Sequence, residues 1–282
     1  MSFKYRICGF NLLSQIRLPA LIESDFEKPD FEVLLKNDVR VPDDVIEILE
    51  STEVLFKDLH KNIFLISSPK IYISVKKNKD NEAAYSLLGV PLGYLLQNNG
   101  FQVLHGSAVA HNNLGFSFIG KSGLGKSSIA LSLINSGFKL VTEDLCIIKD
   151  TNIYNFSDWV KSNQNNLLET LGPIEKIGIK KDSRKRSLYK LDKKYINNKK
   201  VKLKSIYFLE SGKRRCVKKI QPSEAFKYLF TYAYRKNDLD SNSLKKLTRI
   251  SEESTCYIYS RDIEKSLEDN ARFIFDHIKE DL

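Results

Sequence analysis

The sequence predicts a mixed α/β (α+β) fold with a small, mainly β N-terminal part. Residues 1–80 contain short runs rich in Ile, Phe, Val and Tyr, separated by turn residues, which is typical of strands. Residues 101–149 instead combine strand runs with a glycine-rich loop and a helical pattern, which is typical of α/β proteins. We therefore place a boundary near residue 80 and predict domains at 1–80 and 81–282.

In the N-terminal part, FKYRICGFNLL is predicted to be a strand that enters a turn at Gly9, and DDVIEILEST a short helix. Two further strands are predicted on either side of Pro69. A helical pattern follows in NEAAYSLLGVPLGYLLQNNG, where Pro91 predicts a kink or a break.

Residues 101–149 are predicted to run as strand, hairpin, strand, glycine loop, helix and strand. FQVLHGSAVA and LGFSFIG form the hairpin, and the helix that follows the loop ends at Gly137. The run LVTED then ends a strand on two carboxylates, and we expect this strand to lie beside the one that leads into the loop.

The C-terminal part is predicted to contain a strand, KSIYFLES, with KRRCVKKIQ as its hairpin partner. A helix is predicted in SEAFKYLFTYAYR, with Ser223 as its N-cap. Apolar residues at helical spacing then predict an amphipathic C-terminal helix: Ile263, Leu267, Ala271, Ile274 and Ile278.

The composition is that of an ordinary globular protein, with 42% hydrophobic and 28% charged residues. No apolar run approaches the ~20 residues of a membrane-spanning helix. The N-terminus lacks the pattern of a secretory signal, so we expect a cytoplasmic protein with no membrane partner. The four cysteines form no CxxC pair and are predicted to be reduced and mostly buried, without a structural metal.

The net charge of +10 is carried by residues 175–204, where thirteen Lys or Arg stand against three acids. A basic segment of this kind can meet nucleic acid, an anionic membrane surface, an acidic peptide or phosphates. It lacks the regular aromatic residues that would stack on bases. We therefore favour a solvated loop over a nucleic-acid site.

One motif carries chemistry. GKSGLGKS, at residues 120–127, matches the phosphate-loop pattern G-x-x-x-x-G-K-[ST] between a predicted strand and a predicted helix. Glycines let phosphate oxygens approach several backbone N–H groups, and the following helix directs its positive end at them. Lys126 supplies a charge to the β- and γ-phosphates, and the Ser127 hydroxyl can bind Mg²⁺. The predicted nucleotide-binding residues are Gly120, Lys121, Ser122, Gly123, Leu124, Gly125, Lys126, Ser127 and Ser128.

A phosphate loop alone does not distinguish a kinase from an ATPase, a GTPase or a sulfotransferase-like protein. LHGSAVA, GKSGLGKSS and LVTEDLCII together resemble the catalytic core of the HPr kinase/phosphorylase family, whose fold is related to phosphoenolpyruvate carboxykinases. The spacing agrees, since His105 lies 21 residues before Lys126 and Asp144 lies 18 after it. The resemblance thus implies a P-loop kinase core of this type.

The resemblance also implies roles for particular residues. Asp144 would be the general base that takes the proton of the attacking hydroxyl, with His105 beside it and Lys126 on the phosphates. Glu143 stands where the family has a second Asp, so it keeps a carboxylate for Mg²⁺ with one more methylene.

Two further site residues are expected outside the core motifs. Glu169, in LETLG, lies 43 residues after Lys126 and matches the family's second Mg²⁺ carboxylate, although the neighbouring Arg of that motif is missing. Lys185 and Arg186 form the KR pair of shorter family members and are predicted to bind substrate or the transferred phosphate.

The function implied is an ATP- and Mg²⁺-dependent kinase that phosphorylates a serine-type hydroxyl of a peptide or small protein, as the similar lasso-peptide kinases do. Two alternatives stay open: a kinase for free serine or another metabolite, and a regulator that binds ATP without transferring phosphate. Relatives of this fold also imply a homo-oligomer.

Overall fold

The structure is a computed structural model. It describes residues 1–50, 53–156, 158–162, 168, 171, 174–180, 186–234 and 239–282. Within these residues the chain forms three β-sheets with helices packed against them.

The first sheet contains eight strands, in the order β3-β1-β2-β4-β8-β7-β6-β5. Their bounds are β1 (Phe3–Ile7), β2 (Phe10–Ser14), β3 (Ile22–Glu23), β4 (Phe31–Leu35), β5 (Ile46–Glu50), β6 (Glu53–Lys57), β7 (Ile63–Ser67) and β8 (Lys70–Ser74). The predicted turn at Gly9 and the two strands on either side of Pro69 are confirmed. These strands form the mainly β N-terminal part.

The helix predicted in DDVIEILEST is wrong, because this segment forms the edge strand β5 and pairs antiparallel with β6. Ile46 and Ile48 alternate with acids along β5, and this period of two suits a strand. Pairing with β6 therefore outweighs the weak helical spacing.

The predicted helical segment after residue 79 is broken into α1 (Asp80–Leu87) and α2 (Val90–Asn98). Pro91 lies in the first turn of α2, where its missing N–H removes no helical hydrogen bond. Leu87 and Leu92 share a buried core with Phe64 of β7 and Val103. This core joins the first sheet to the next part of the chain.

The rest of the described chain contains two more sheets and four more helices. The strands are β9 (Gln102–His111), β10 (Leu114–Ile119), β11 (Lys139–Thr142), β12 (Leu145–Lys149), β13 (Asn152–Tyr154), β14 (Trp159–Ser162), β15 (Glu175–Lys180), β16 (Arg186–Lys190), β17 (Val201–Gly212), β18 (Cys216–Lys219) and β19 (Thr255–Asp262). The helices are α3 (Lys126–Asn135), α4 (Pro222–Tyr232), α5 (Ser241–Glu253) and α6 (Leu267–Glu280). A 3-10 turn covers Lys193–Tyr195.

The second sheet runs β10-β9-β12-β13-β17-β19-β18, and the third runs β14-β16-β15. The β9–β10 hairpin is confirmed. The strand that ends in LVTED, β11, pairs with β9 and not with β10 as we predicted. The reason is that β10 lies between β9 and the parallel strand β17, so neither of its edges is left for β11.

Two predictions in the C-terminal part are also wrong. The segment KRRCVKKIQ forms β18, but β18 pairs with β19, which lies between it and the predicted partner β17. Helix α4 begins at Pro222, so its N-cap is Gln221, two residues before the predicted Ser223. Pro222 suits the first helical position because its backbone angle φ is already helical.

The amphipathic C-terminal helix is confirmed as α6. Ser266 caps it by accepting a hydrogen bond from the Asp269 backbone N–H at 2.9 Å, so Ile263 lies before the helix and is exposed. The buried positions predicted from spacing include Ala271, Ile274 and Ile278. Across the residues that the structure describes, the helices are too short or too polar to cross a bilayer.

Candidate active site

The glycine-rich loop connects β10 to α3, as its motif predicts. Gly123 and Gly125 have φ angles of +98° and +91°, a left-handed region that favours glycine. Space restricts Gly125 as well, because a Cβ there would lie 2.9 Å from Nη1 of Arg261. At Gly120 a Cβ would lie 3.0 Å from the carbonyl oxygen of Leu209. The left-handed turn therefore requires Gly123 and Gly125, and the close approach of β17 requires Gly120.

Lys126, the first residue of α3, is held across this loop. Its side chain is almost fully buried, and Nζ donates hydrogen bonds to the carbonyl oxygens of Gly120 at 2.7 Å and Lys121 at 3.0 Å. The N-terminus of α3 directs backbone N–H groups and the positive end of the helix dipole to the same side. The arrangement can hold a phosphate chain.

Arg261 adds a second cation to the loop, and sequence reasoning missed it. It comes from β19, far along the chain, and its Nη1 donates to the carbonyl oxygen of Leu124 at 3.3 Å. No local motif marks this residue. Only the position of β19 in the sheet brings it to the loop.

Glu143 follows β11 and is completely buried. Its Oε2 accepts a hydrogen bond from the Ser107 hydroxyl at 2.6 Å, and its Oε1 accepts a short one from the Ser127 hydroxyl. Burial raises the pKa of this carboxyl, and the positive charge of Lys161 partly opposes that shift. Carboxylate and hydroxyl oxygens are ligands that suit Mg²⁺, so Ser127 and Glu143 can hold this ion together.

Asp144 occupies the turn between β11 and β12, with a φ of +70°. Asp tolerates this left-handed conformation better than most residues. Leu145 pairs with His105 of β9, and this register brings Asp144 beside His105. Nδ1 of His105 lies 3.1 Å from the Asp144 carbonyl oxygen and 3.9 Å from Oδ1.

Lys161 is the second site residue that sequence reasoning missed. It lies in β14, and its buried ammonium group forms a short ion pair with Oδ1 of Asp144. The ammonium also lies 5.8 Å from the ring centre of the buried Trp159. The signal in the sequence was a lysine directly after two apolar residues, Trp159 and Val160, in a part of the chain with little regular pattern.

The His105 ring is neutral at neutral pH. Its pKa is lowered to about 4, first by burial and then by the positive charges of Lys126 and Lys161, while Asp144 acts in the opposite direction. The positive charges of Lys126 and Lys161 therefore oppose protonation of the partly buried His105 ring.

The side chains of three predicted site residues lie outside the described parts of the chain. Glu169 and Lys185 lie outside the described residues. Arg186 begins β16 opposite Lys180, and its side chain is not among the described parts. In the described ranges, no group of three or more His, Cys, Asp or Glu side chains gathers around one point. A few protein ligands suffice for Mg²⁺, which keeps several waters.

Two clefts meet at Asp144. The first, of about 300 Å³, we name the loop cleft. The predicted nucleotide-binding residues that line it are Ser122, Gly123, Gly125, Lys126, Ser127 and Ser128, together with Arg261 and Leu267. The second, of about 370 Å³, lies between the first sheet, α1 and α2, and we name it the N-terminal cleft. The residues common to both clefts are His105, Ser122, Asp144 and Lys161.

The segment that contains this site is similar to known proteins. Residues 99–181 match the family model of the HPr Serine kinase C-terminal domain. An HPr kinase/phosphorylase from Chlorobium phaeovibrioides is 37% identical over 79 residues, which cover 28% of this chain and 23% of the relative. One from Chlorobium phaeobacteroides is 46% identical over 48 residues, covering 17% of this chain and 14% of the relative.

The match thus spans about a quarter or less of the length of these curated relatives. The structure of the Hpr(Ser) kinase/phosphatase from Coxiella burnetii aligns with 64% of this chain and 92% of its own, at 10% identity and a TM-score of 0.33. That score is too low to establish a common fold, so the relationship depends on the sequence match. The segment that carries the phosphate loop, Glu143 and Asp144 is related to the C-terminal domain of HPr kinases.

Proposed function

We propose that this chain is an ATP- and Mg²⁺-dependent kinase that phosphorylates a serine-type hydroxyl of a peptide or small protein. The observation that carries the proposal is the position of Asp144. Its carboxylate is paired with the buried ammonium of Lys161 and lies at the junction of the loop cleft with a second cleft. The relation of residues 99–181 to HPr kinases supports the same reaction class.

On the donor side, Lys126 and the backbone N–H groups of the loop would hold the phosphates, and Arg261 would neutralise further negative charge. Ser127 and Glu143 would hold Mg²⁺, which supplies charge neutralisation at the phosphate oxygens. The glycines keep side chains away from this space. The residues therefore divide into a phosphate cradle and a metal pair.

On the acceptor side, Asp144 would take the proton of the attacking hydroxyl. The hydroxyl oxygen forms a bond to the γ-phosphorus while the bond to the leaving ADP oxygen breaks, and that oxygen keeps the electron pair. The positive charge of Lys161 favours the ionised carboxylate that this step needs. A neutral His105 leaves that pairing undisturbed.

The test is Asp144→Asn, which keeps the shape of the side chain and its tolerance of a left-handed turn. Phosphate transfer from ATP to serine-containing peptides, followed by mass spectrometry, should fall by about 10²- to 10⁴-fold, the usual contribution of a positioned base. Nucleotide affinity, measured by calorimetry, should stay unchanged because Asp144 does not belong to the phosphate cradle.

Full transfer activity in the Asn variant would show that another group is the base. Free serine, assayed beside the peptides, separates the peptide kinase from a metabolite kinase. Binding of ATP without transfer to any acceptor would favour the regulator.

A further inference from the structure

The N-terminal cleft has no role in holding the nucleotide in the scheme above. Its walls come from three separate parts of the chain: Val45, Phe56 and Leu59 from the first sheet, Tyr85 and Val90 from the helices, and Tyr234. Its inner end consists of the four residues it shares with the loop cleft, Asp144 among them. Whatever fills this cleft therefore reaches the proposed base.

The two clefts share their inner residues but have different outer walls. Ser127, Ser128 and Arg261 line the loop cleft and are absent from the lining of the N-terminal cleft. In a phosphate loop the lysine meets the β- and γ-phosphates, so a bound γ-phosphate would lie near Lys126 in the loop cleft. Transfer needs the acceptor oxygen in line with the leaving oxygen, on the far side of the γ-phosphorus. The N-terminal cleft would let an acceptor approach Asp144 from outside the space that the donor fills.

The outer part of the cleft offers apolar side chains, and two of the charged residues beside them, Lys57 and Asp58, are hydrogen-bonded within the chain. Lys57 Nζ donates to the Pro42 carbonyl oxygen at 3.0 Å. Asp58 Oδ1 accepts from the backbone N–H groups of His60 and Asn62, each at 2.8 Å, and so holds the turn after β6. These hydrogen bonds hold the wall of the cleft in place. The cleft therefore suits an apolar group beside the reacting hydroxyl.

The rim of the cleft is apolar and exposed, with Leu59 82% and Val45 56% accessible. Val45 leads into the edge strand β5, where Ile46 and Ile48 are also exposed. Among the described strands, β5 pairs with β6 alone, so its outer edge presents backbone groups that an extended chain can pair with. An exposed apolar strip of this kind fits a peptide better than a free amino acid.

We propose that the N-terminal cleft is the acceptor site, and that it takes an extended peptide whose hydroxyl residue reaches Asp144 and whose neighbouring side chain is apolar. This proposal depends on the kinase function proposed above, but it assigns a place and a chemistry that the phosphate loop does not. The first sheet then selects the substrate, and the loop cleft activates the donor.

The probe is a set of synthetic peptides with one fixed serine, degenerate flanking positions and a diazirine-bearing leucine next to the serine. After irradiation with the full chain, ADP and Mg²⁺, mass spectrometry should find crosslinks at Val45, Phe56 or Leu59. Leu59→Asp should lower the crosslinking yield about tenfold, as expected when one apolar anchor is replaced by a charge. The matched control is Leu35→Asp in β4, because Leu35 is 48% exposed and lies outside the lining of the cleft. It should leave the yield unchanged.

The same peptides incubated with ATP separate this proposal from the kinase proposal. Crosslinks in the cleft without phosphate transfer would keep the peptide site and remove the kinase. Transfer with crosslinks elsewhere, or with an unchanged yield in Leu59→Asp, would keep the kinase and overturn the site. If adenosine prevents crosslinking in the N-terminal cleft, the cleft binds the nucleoside and the proposal is overturned. An absence of crosslinks would also overturn it.

Discussion

The loop cleft and the N-terminal cleft meet at Asp144, but they are built in different ways. The loop cleft consists of glycines, backbone groups and charged side chains, most of them from one stretch of chain around residues 120–128. The N-terminal cleft combines apolar and polar side chains from distant segments, and Asp58 in its wall holds the turn after β6. The loop cleft can therefore be recognised from one stretch of sequence, whereas the N-terminal cleft depends on how distant segments pack together.

The family match follows the same division. Residues 99–181 include the loop, Glu143 and Asp144, while Val45, Phe56, Leu59 and most of the N-terminal cleft precede them. The similarity to HPr kinases therefore covers the phosphate loop and leaves out most of the wall of the N-terminal cleft. The predictions below test whether the two clefts act as separate functional parts.

After Asp144→Asn itself, Lys161→Met should have the largest effect, because Lys161 belongs to both clefts and pairs with Asp144. Loss of the ammonium favours the protonated carboxyl, so we expect kcat to fall about 100-fold and the acidic limb of the pH–rate profile to move to higher pH. The measurement is kcat across pH with the serine peptides.

Breaking a buried ion pair also costs about 3–5 kcal/mol of stability, so folding must be checked by circular dichroism and nucleotide binding. Lys161→Arg keeps the charge and is the matched control, with a smaller change in kcat and the same acidic limb. An unchanged acidic limb in the Met variant would mean that Lys161 only packs against Trp159.

The donor side could be predicted from sequence because its requirements are local. A phosphate loop needs glycine, lysine and serine at fixed spacing, so the strand, loop and helix around Lys126 were readable without the fold. Lys161 and Arg261 were not, because β14 and β19 bring them to the site through sheet pairings that no local pattern specifies. The roles predicted for His105, Glu143 and Asp144 remain predictions.

The errors have the same origin. Spacing within DDVIEILEST fits a helix, but only the pairing with β6 makes it a strand. The partners of β11 and β18 depend on which strand edges are already taken, which is a property of the sheet. The boundary near residue 80 also stays a prediction. The phosphate-loop motif and its flanking strand and helix could therefore be recognised from the sequence, whereas the long-range strand pairings could not.

Glu143→Gln tests the donor side alone and should have an intermediate effect. Burial raises the folded-state pKa of this carboxyl, so its charged form costs stability as pH rises above the unfolded value near 4.5. The neutral variant, which keeps partners for Ser107 and Ser127, should therefore lose less stability than the parent between pH 4 and pH 7. Urea unfolding at both pH values measures this.

The same variant should bind ATP about tenfold more weakly when Mg²⁺ is present, and equally well in EDTA, because only the metal pair is changed. Glu143→Asp keeps the charge and is the control. Equal Mg²⁺ dependence in the Gln variant and the parent would remove Glu143 from the metal site, and crosslinking in the N-terminal cleft should be unaffected by either change.

His105 lies in the wall shared by both clefts, and its effect should be the smallest. Its pKa is about 4 in the folded chain and about 6.5 unfolded, so the unfolded state binds more protons between these values. Stability should therefore fall as pH decreases from about 6.5 to 4.

His105→Asn, which retains a donor near Nδ1, should lose about 1 kcal/mol less than the parent over this window. The figure is modest because the ring is 34% exposed and solvent screens part of the effect. The control is His111→Asn, at the C-terminal end of β9. An equal acid sensitivity in both variants would show that burial and the two ammonium groups do not hold His105 neutral.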